Sequence, residues 1–348
     1  MEKGLILPPI NNEFDQKNKK IIAVTMASSR QGISVVKALS KSNIFHIRAL
    51  TRDTSSEKAK EISRLPNVEL LKGDLLDKKS LIEGFRGSYG IFGNTTPTKR
   101  WGMDLHYERL QGVNLIDAVK EVVEENRLKH FIFSSICKSK VPSQKHLTPG
   151  HFSNKWEIEN RIKSSGLNEI TTVISPVSYF ENFYSSILGI TFNSNILPGI
   201  IEPNTKWQTV AVDDIGSWTL AVFKNRELFL GETLNILGEN LSGEEMASVL
   251  EKRGGSRSKS VKYKMLPRVI LKIIEEDIAI MANWIEKYGY GADIEKTKVL
   301  AQQIGVNITS LDRWIATAEA KKRFSRGINY INKTRKQINT VPITPDSI

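Results

Sequence analysis

His151 and Lys155 are the side chains of this sequence whose types and spacing best suit chemistry on a small molecule. A separation of four residues in a segment of helical character places both on one helix face, one turn apart. A protonated imidazole can donate a proton, and an ammonium group can bind hydroxyls. The pair is therefore a candidate catalytic site, although a core or helix-capping role for His151 fits the sequence equally well.

Other reactive residue types give weaker signals. Ser134 and Ser135 end a predicted strand, where a hydroxyl could orient a substrate or simply take part in a turn. Cys137 is the only cysteine, which excludes an intrachain disulfide and a thiolate-cluster metal site and fits a reducing compartment. We interpret it as a small packed residue. Lys138 beside it could lower the pKa of the thiol only if Cys137 is exposed. The 5 histidines are scattered without metal-ligand spacing, so no metal site is predicted.

The first half of the chain supplies a scaffold for these residues. Short apolar segments alternate with longer ones of helical periodicity, such as Leu105 to Val123. This alternation predicts a parallel sheet with helices on both faces, which binds ligands at the carboxyl ends of its strands. The predicted strands are Ile21 to Thr25, His46 to Thr51, Val68 to Leu71, Gly90 to Phe92, His130 to Ile136 and Thr171 to Ser175.

Beyond about Pro176 the regular alternation breaks, and a smaller C-terminal subdomain is expected. Ser242 and Glu245 have capping-box spacing and predict a helix from about Gly243 to Lys252. Further predictions there are a strand over Trp207 to Val212, a helix capped by Asp213 or Asp214, and one long helix over Pro267 to Glu286.

The turn after the first strand reads Val24-Thr25-Met26-Ala27-Ser28-Ser29-Arg30-Gln31-Gly32. With its flanking residues it resembles the GxxGxxG loop of atypical short-chain dehydrogenases of the NmrA-like kind. In that alignment Met26, Ser29 and Gly32 occupy the three glycine positions. Met26 puts a long side chain where the turn is tightest, which is costly if the backbone needs a positive φ. Ser29 and Arg30 can still contact phosphate oxygens.

Three further strand ends carry residues that the resemblance places along a dinucleotide. Arg52 follows the second strand, where arginine pairs with a 2′-phosphate and an acidic residue would bind the ribose 2′-hydroxyl instead. Asp74 and the backbone N–H of Leu75 would face the adenine. Asn94 and Thr95 close the fourth strand beside the cofactor path. Arg52 therefore favours NADP(H).

Two longer segments carry the resemblance most specifically. The segment from His151 to Glu159 reads HFSNKWEIE and resembles the family's His-Phe-x-x-Lys-x-x-(Val/Ile)-Glu. The segment from Pro176 to Phe183 reads PVSYFENF and resembles its Pro-x-x-(Tyr/Phe)-Phe-Glu-Asn, where the chain passes the nicotinamide. The likeness covers roughly residues 20 to 317, so the chain is identified as similar to the NmrA-like family, which includes nitrogen-metabolite repression regulators, redox sensors and reductases.

The resemblance implies an α/β fold with a Rossmann-type parallel sheet, helices on both faces and a smaller C-terminal α/β subdomain. It also implies NADP(H) as cofactor, with binding weakened by Met26 and Ser29 at glycine positions. Lys155 and His151 are the implied catalytic candidates. In short-chain dehydrogenases a tyrosine stands where this chain has His151, so the usual proton donor for carbonyl reduction is missing. The implied cofactor-binding residues are Ser28, Ser29, Arg30, Gln31, Gly32, Arg52, Asp74, Leu75, Asn94, Thr95, Lys155, Tyr179, Phe180 and Asn182.

The charge of the chain is concentrated at one end. Of the net +12, seven basic charges lie between Lys321 and Gln337, which leaves +5 for the other residues. Phe324, Ile328 and Ile331 give this basic segment helical periodicity, so it could dock on the protein, act as a localisation signal or bind an acidic partner, with nucleic acid the least favoured. The expected divisions are a polar leader (1–19), a dinucleotide-binding domain (20–180), a substrate or partner subdomain (181–317) and a basic tail (318–348).

No stretch approaches eighteen apolar residues, and the first residues lack the layout of a secretory signal, which predicts a cytoplasmic or nuclear protein without a membrane span. Three functions remain open at this point: a cofactor-responsive regulator, which the lost tyrosine favours; an NADPH-dependent reductase of a small conjugated or quinone-like substrate; and a scaffold that has abandoned the dinucleotide. Substrate, protein partner and oligomeric state are not indicated by the sequence.

Overall fold

The computed structural model describes residues 19–97, 103–125, 127–138, 147–184, 196–254 and 260–317. Residues 1–18 of the expected polar leader and the whole basic tail lie outside these ranges. The first half alternates as predicted. Its elements are β1 (Lys20–Val24), α1 (Arg30–Ser42), β2 (Phe45–Thr51), α2 (Glu57–Ser63), β3 (Val68–Lys72), α3 (Lys78–Phe85), β4 (Gly90–Asn94), α4 (Leu105–Val123), β5 (His130–Ser134), α5 (Gly150–Ser164) and β6 (Thr171–Pro176).

The second half contains shorter elements. They are β7 (Ser178–Tyr179), β8 (Ile196–Gly199), β9 (Lys206–Val210), α6 (Val212–Lys224), α7 (Arg226–Phe229), β10 (Thr233–Ile236), β11 (Glu239–Ser242), α8 (Gly243–Gly254), β12 (Lys262–Met265), α9 (Arg268–Ile274), α10 (Glu276–Tyr288), α11 (Ile294–Gln303) and α12 (Leu311–Ile315).

The main sheet is parallel throughout and has 7 strands in the order β10-β6-β5-β4-β1-β2-β3. The strand order reverses beside β1, which makes a crevice at the carboxyl ends of β1 and β4. Helices α1 and α6 cover one face, where Val35, Val36 and Ile215 join one apolar cluster. Helices α3, α4 and α5 cover the other face around Phe85, Leu115 and other residues of a second cluster. The predicted Rossmann-type sheet is confirmed.

The chain returns to the main sheet after residue 180, because β10 pairs with β6 at the sheet edge and α6 packs on α1. The rest of the second half forms a 3-stranded sheet of β11, β9 and β7 and a 2-stranded sheet of β12 and β8. Helix α8 packs on both small sheets and against α12, and α9 packs on α10, which gives the smaller C-terminal α/β part that was expected.

Two carboxylates, that of the half-buried Glu181 and that of the buried Asp214, attach the last described segment to the sheet. Glu181 accepts hydrogen bonds from the backbone N–H of Val212 at 3.1 Å and from Nε1 of Trp314 at 3.0 Å. Asp214 accepts from the backbone N–H of Thr309 at 2.8 Å and from its hydroxyl at 2.6 Å. Burial raises the pKa of Glu181 to about 6 and raises that of Asp214. These bonds secure α12 against the start of α6.

Two helix predictions differ from the structure. The cap of α6 is Ala211, and Asp213 and Asp214 lie in the first turn, because the carboxylate of Glu181 already accepts from the helix start. The single helix predicted over Pro267 to Glu286 is two helices, since Glu275 is extended at φ −160°. The capping box is confirmed: Ser242 N–H donates to Glu245 at 2.7 Å, and Glu245 N–H donates to the Ser242 hydroxyl at 3.2 Å.

His130, at the start of β5, is fully buried and lies 2.8 Å from the Thr172 hydroxyl through Nε2. Its ring meets Phe223 edge-on at 5.3 Å. Its Nδ1 has no hydrogen-bond partner in the described part of the chain. Burial, aided by the charge of Arg226, lowers the pKa of His130 from 6.5 to about 3. The native state therefore holds this imidazole neutral.

Replacing His130 with Phe is expected to reduce the acid sensitivity of the fold. Below pH 6.5 the unfolded wild-type chain binds a proton at His130 that the native state does not, so the free energy of unfolding falls by about 1.4 kcal/mol per pH unit. Between pH 7.5 and pH 5 the free energy of unfolding, measured by urea denaturation, should fall by about 2 kcal/mol less for His130→Phe than for wild type. The exposed His106, changed to Gln, is the control, and equal losses in all three proteins would contradict the prediction.

Candidate functional site

Two adjoining cavities lie at the carboxyl edge of the main sheet. The larger has a volume of about 380 Å³ and the smaller about 220 Å³. Met26, Ser29 and Thr96 line both, so the turn after β1 stands between them. This is the crevice in which a parallel sheet of this order binds ligands.

The turn has a left-handed residue at the first glycine position although only Gly32 of the three glycines is present. Met26 has φ +49°, in the left-handed region, where a side chain costs roughly 1–2 kcal/mol. Its carbonyl accepts from the N–H of Ser29 at 2.8 Å. A β-carbon on Gly32 would lie 2.1 Å from that same carbonyl oxygen, so Gly32 must be glycine. The condition under which Met26 is costly, a positive φ, is therefore met.

The start of α1 joins the turn to the chain after β6. The Ser29 hydroxyl caps the helix by accepting from the N–H of Gly32 at 3.1 Å. Arg30 donates to the amide oxygen of Asn182 at 3.2 Å. Gln31 accepts from the Ser134 hydroxyl at 2.8 Å and donates to the phenol of Tyr179. Burial raises the pKa of Tyr179 to about 12, so this phenol stays protonated.

The smaller cavity collects the residues predicted for the adenosine end. The Ser28 hydroxyl lies 2.9 Å from that of Thr51. Arg52 is exposed and donates to the phenol of Tyr107 at 3.0 Å. Asp74 uses its carboxylate to accept from the N–H of Leu76 at 3.0 Å, which orders the turn after β3. The predicted residues Ser28, Ser29, Arg52, Asp74 and Leu75 all line this cavity.

Lys155 lies at the floor of the larger cavity, with its side chain 11% exposed. Its ammonium is within 3.5 Å of five oxygens, which belong to Asn94, to Thr95 (two), to the backbone of Ser134 and to Glu108. Burial lowers the pKa of Lys155, and the carboxylate of Glu108 opposes this effect. Because an ammonium has only three N–H groups, this one has acceptors to spare.

Glu108 was missed by sequence reasoning. It lies on α4 with its side chain fully buried, and it also accepts from the Thr95 hydroxyl at 3.1 Å and from Asn154 at 3.3 Å. Its position on the same helix face as the buried Leu115 was the available signal, because an acidic residue in an apolar helical stripe needs a buried partner.

His151 meets a second residue that the sequence did not indicate. Its Nδ1 is hydrogen-bonded to the carboxylate of Asp277 on α10, 126 residues further along the chain. The backbone N–H groups of Gly150 and His151 donate to the same carboxylate. Burial by itself raises the pKa of Asp277, but the hydrogen bond and charge of His151 and the two N–H groups outweigh burial and lower it. Asp277 is therefore a carboxylate held against an imidazole that lines the larger cavity.

The far wall of the larger cavity is apolar and comes from the C-terminal part. The Ser178 hydroxyl fixes two aromatic residues there. It accepts from Nε1 of Trp207 at 2.9 Å and lies 2.8 Å from the phenol oxygen of Tyr290. The other apolar lining residues of this wall are Phe183, Pro198, Ile200, Leu266, Ile278 and Met281. The cavity is thus polar at the sheet and apolar opposite it.

Most of the predicted residues meet at these cavities. Arg30, Gln31, Asn94, Thr95, Tyr179, Asn182, His151 and Lys155 line the larger one. Gly32 and Phe180 line neither: Gly32 lies beneath the turn, and Phe180 is buried against the Trp314 ring at 5.3 Å. Cys137 is buried, and burial raises the pKa of its thiol to about 12, which disfavours a reactive thiolate.

Within the described ranges, no helix has the length and apolar character needed to cross a membrane. No cluster of three or more His, Cys, Asp or Glu side chains in that part of the chain could hold a metal ion.

Comparison with known proteins matches the chain to one family. The model of the NmrA-like family matches residues 18–315. A protein of Malbranchea aurantiaca named as an NmrA-like family domain-containing oxidoreductase is 27% identical over 275 residues, which are 71% of this chain and 76% of that protein.

Two solved structures share the fold. NmrA, a negative transcriptional regulator solved in complex with NAD, has a TM-score of 0.72 at 20% identity, covering 90% of this chain and 99% of its own. An NADPH-dependent quinone oxidoreductase of Escherichia coli, complexed with NADPH, has a TM-score of 0.63 at 20% identity, and the match covers 85% of this chain and 98% of that one.

The buried ion pair makes a stability prediction. Lys155→Met leaves Glu108 buried without a countercharge and is expected to destabilise the fold by about 3–5 kcal/mol in chemical denaturation. Adding Glu108→Gln removes the unpaired charge and should recover at least half of that loss. Lys163→Met, at an exposed position on α5, is the control. A double variant as unstable as Lys155→Met would show that the pair is not coupled.

Proposed function

The chain belongs to the NmrA-like family, and we propose that it binds NADP(H) across the two cavities and uses it to reduce a small apolar substrate. The observation that carries the proposal is the larger cavity. It begins at Lys155 and His151 and continues to an apolar wall that includes Ile200, Leu266 and Met281. A site for a dinucleotide alone does not need that wall. The oxidoreductase name of the Malbranchea aurantiaca relative supports the same assignment.

The turn after β1 fits the cofactor. Met26 holds the left-handed backbone that glycine adopts at that point of the loop, and Gly32 keeps the close approach to it. The helix start at Ser29 and Arg30 offers N–H groups, a hydroxyl and a guanidinium to a pyrophosphate. When bound, NADPH supplies a hydride. The Met26 side chain, which lines both cavities, reduces the space for the pyrophosphate.

The remaining contacts divide between the two cavities. In the smaller one, Arg52 can pair with a 2′-phosphate, and Ser28 and Asp74 line the space for the adenosine. In the larger one, Lys155 has more oxygen acceptors than N–H groups. It can therefore donate one N–H to a ribose hydroxyl and keep its other contacts. Asn94 and Thr95 hold that ammonium in place. The apolar wall excludes water and holds the substrate beside Lys155 and His151.

A second candidate function is a cofactor-responsive regulator, and one observation favours it. The hydrogen bonds from Arg30 to Asn182 and from Gln31 to Tyr179 join the start of α1 to the chain after β6. A bound pyrophosphate would compete for Arg30, so cofactor binding would change a contact between the sheet and the segment after β6. The structural likeness to NmrA, titled a negative transcriptional regulator, agrees with this alternative. If the protein binds NADPH but reduces none of a broad panel of quinones and enones, the regulator is favoured over the reductase.

Arg52→Gln tests the cofactor assignment. Loss of a guanidinium that faces the 2′-phosphate should weaken NADPH binding about tenfold in calorimetry, equivalent to about 1.4 kcal/mol, and leave NADH binding unchanged. Arg64→Gln, at an exposed arginine that follows α2 and lines neither cavity, is the matched control. Absence of binding of either dinucleotide at millimolar concentration would overturn the proposed function and favour the scaffold.

Met26→Gly tests whether the turn limits binding. Glycine accepts φ +49° without strain and removes the side chain from the space between the cavities. NADPH affinity is expected to rise about tenfold, as a lower dissociation constant in calorimetry. Met265→Gly is the control, because Met265 is partly buried but lines neither cavity. Unchanged or weaker binding by Met26→Gly would show that the side chain does not occupy the cofactor path.

A further inference from the structure

We propose that His151 is the proton donor of the larger cavity and that Asp277 positions it, so that helix α10 of the C-terminal part completes the catalytic site. The inference rests on the proposed reductase function. It replaces the missing tyrosine with an imidazole and a carboxylate brought together from residues far apart in the chain.

The hydrogen bonds determine which nitrogen of His151 can act. Nδ1 is bonded to Asp277, so Nε2 is the nitrogen left to meet a molecule in the cavity that His151 lines. Both side chains are mostly buried, at 16% and 12% exposed, which restricts the ring to one orientation. The Phe152 ring packs nearly perpendicular to it, with the two ring centroids 4.7 Å apart. The imidazole is therefore oriented by a carboxylate on one side, as a general acid requires.

Asp277 is held as firmly as the ring it orients. It lies in the first turn of α10 and accepts from the backbone N–H groups of Gly150 and His151 at the start of α5. The residue that follows it, Ile278, and Met281 one turn later belong to the apolar wall of the cavity. One helix thus carries both the positioning carboxylate and part of the substrate surface.

The other titratable groups that line this cavity are less suited to deliver a proton. They are Arg30, Glu108, Lys155, Tyr179 and Tyr290. Lys155 is surrounded by oxygens, and burial raises the pKa of the phenols of Tyr179 and Tyr290. Glu108 already shares its carboxylate with Lys155 and Thr95. Imidazole is the side chain that gives and recovers a proton near neutral pH.

The reaction balances with this donor. The substrate carbonyl or quinone takes a hydride from the cofactor, and its oxygen takes the proton from Nε2 of the protonated imidazole. The C=O π bond becomes a C–OH or phenol group, and His151 is left neutral. Solvent returns the proton to His151, so each turnover consumes one NADPH and one H⁺. A cationic triphenylmethane dye, by contrast, becomes neutral on accepting a hydride and requires no proton.

That difference separates proton delivery from hydride delivery in one experiment. Full-length wild type, His151→Gln and Asp277→Asn are assayed with NADPH against a p-quinone and against a cationic triphenylmethane dye. His151→Gln is expected to lower kcat for the quinone by at least about 100-fold and to change the dye rate less than about threefold. Asp277→Asn, which keeps an oxygen for the N–H groups of α5, should lower the quinone rate by about 10-fold or more with the dye rate retained. The control Glu276→Gln changes the neighbouring residue, which is paired with Lys272 at 3.4 Å on the surface.

A second readout does not depend on activity. Nitrogen-15 NMR of the cofactor-free wild type, recorded at a pH where the imidazole has lost its second proton, should show the remaining proton on Nδ1, and Asp277→Asn should show a mixture of the two tautomers. A wild-type ring protonated on Nε2, or equal losses for quinone and dye in His151→Gln, would overturn this inference while leaving the reductase in place. Absence of NADPH binding in calorimetry would remove the proposed function and this inference together.

Discussion

A buried ammonium group determines much of the geometry at the carboxyl edge of the sheet. Lys155 has little contact with water, and an ammonium in such a place is tolerated only when oxygens replace its hydration. Those oxygens come from the end of β4 and the residue after it, from β5 and from Glu108 on α4, while Lys155 itself lies on α5. Satisfying one charge therefore sets two strand ends and two helices relative to each other. The floor of the larger cavity is the result.

The C-terminal part is attached to the main sheet by carboxylates that accept hydrogen bonds at the starts of two helices. Helices α5 and α6 have no side-chain cap of their own, since Pro149 and Ala211 precede them. A carboxylate from a distant segment serves each instead: Asp277 accepts at the start of α5, and Glu181 at the start of α6. Unpaired N–H groups and the helix dipole favour a negative charge at both places. These bonds bring α10 and the segment after β6 to the cavity, where they supply its apolar wall and the partner of His151.

The main sheet and most of its helices could be predicted because the signals are local. Periodic apolar residues and turn residues lie within a few positions of each other, and Ser242 with Glu245 specify a helix start unaided. The break at Glu275 could not be predicted in this way. Apolar residues recur at helical spacing on both sides of Glu275, and its carboxylate also accepts from the backbone N–H of Met103, a contact made by a distant part of the chain. Glu108 was within reach of sequence reasoning, because a carboxylate in a buried stripe requires a countercharge.

The sequence by itself determined the alternation of strands and helices, the strand ends where a ligand binds, and a costly residue at the first glycine position. Each follows from local periodicity or from the backbone preference of one residue. Only the tertiary structure decided that Met26 adopts φ +49° and stands between two cavities. It alone placed Asp277 against His151 across 126 residues of chain. A hydrogen bond between distant segments depends on how two helices pack, and no spacing within the sequence records that packing.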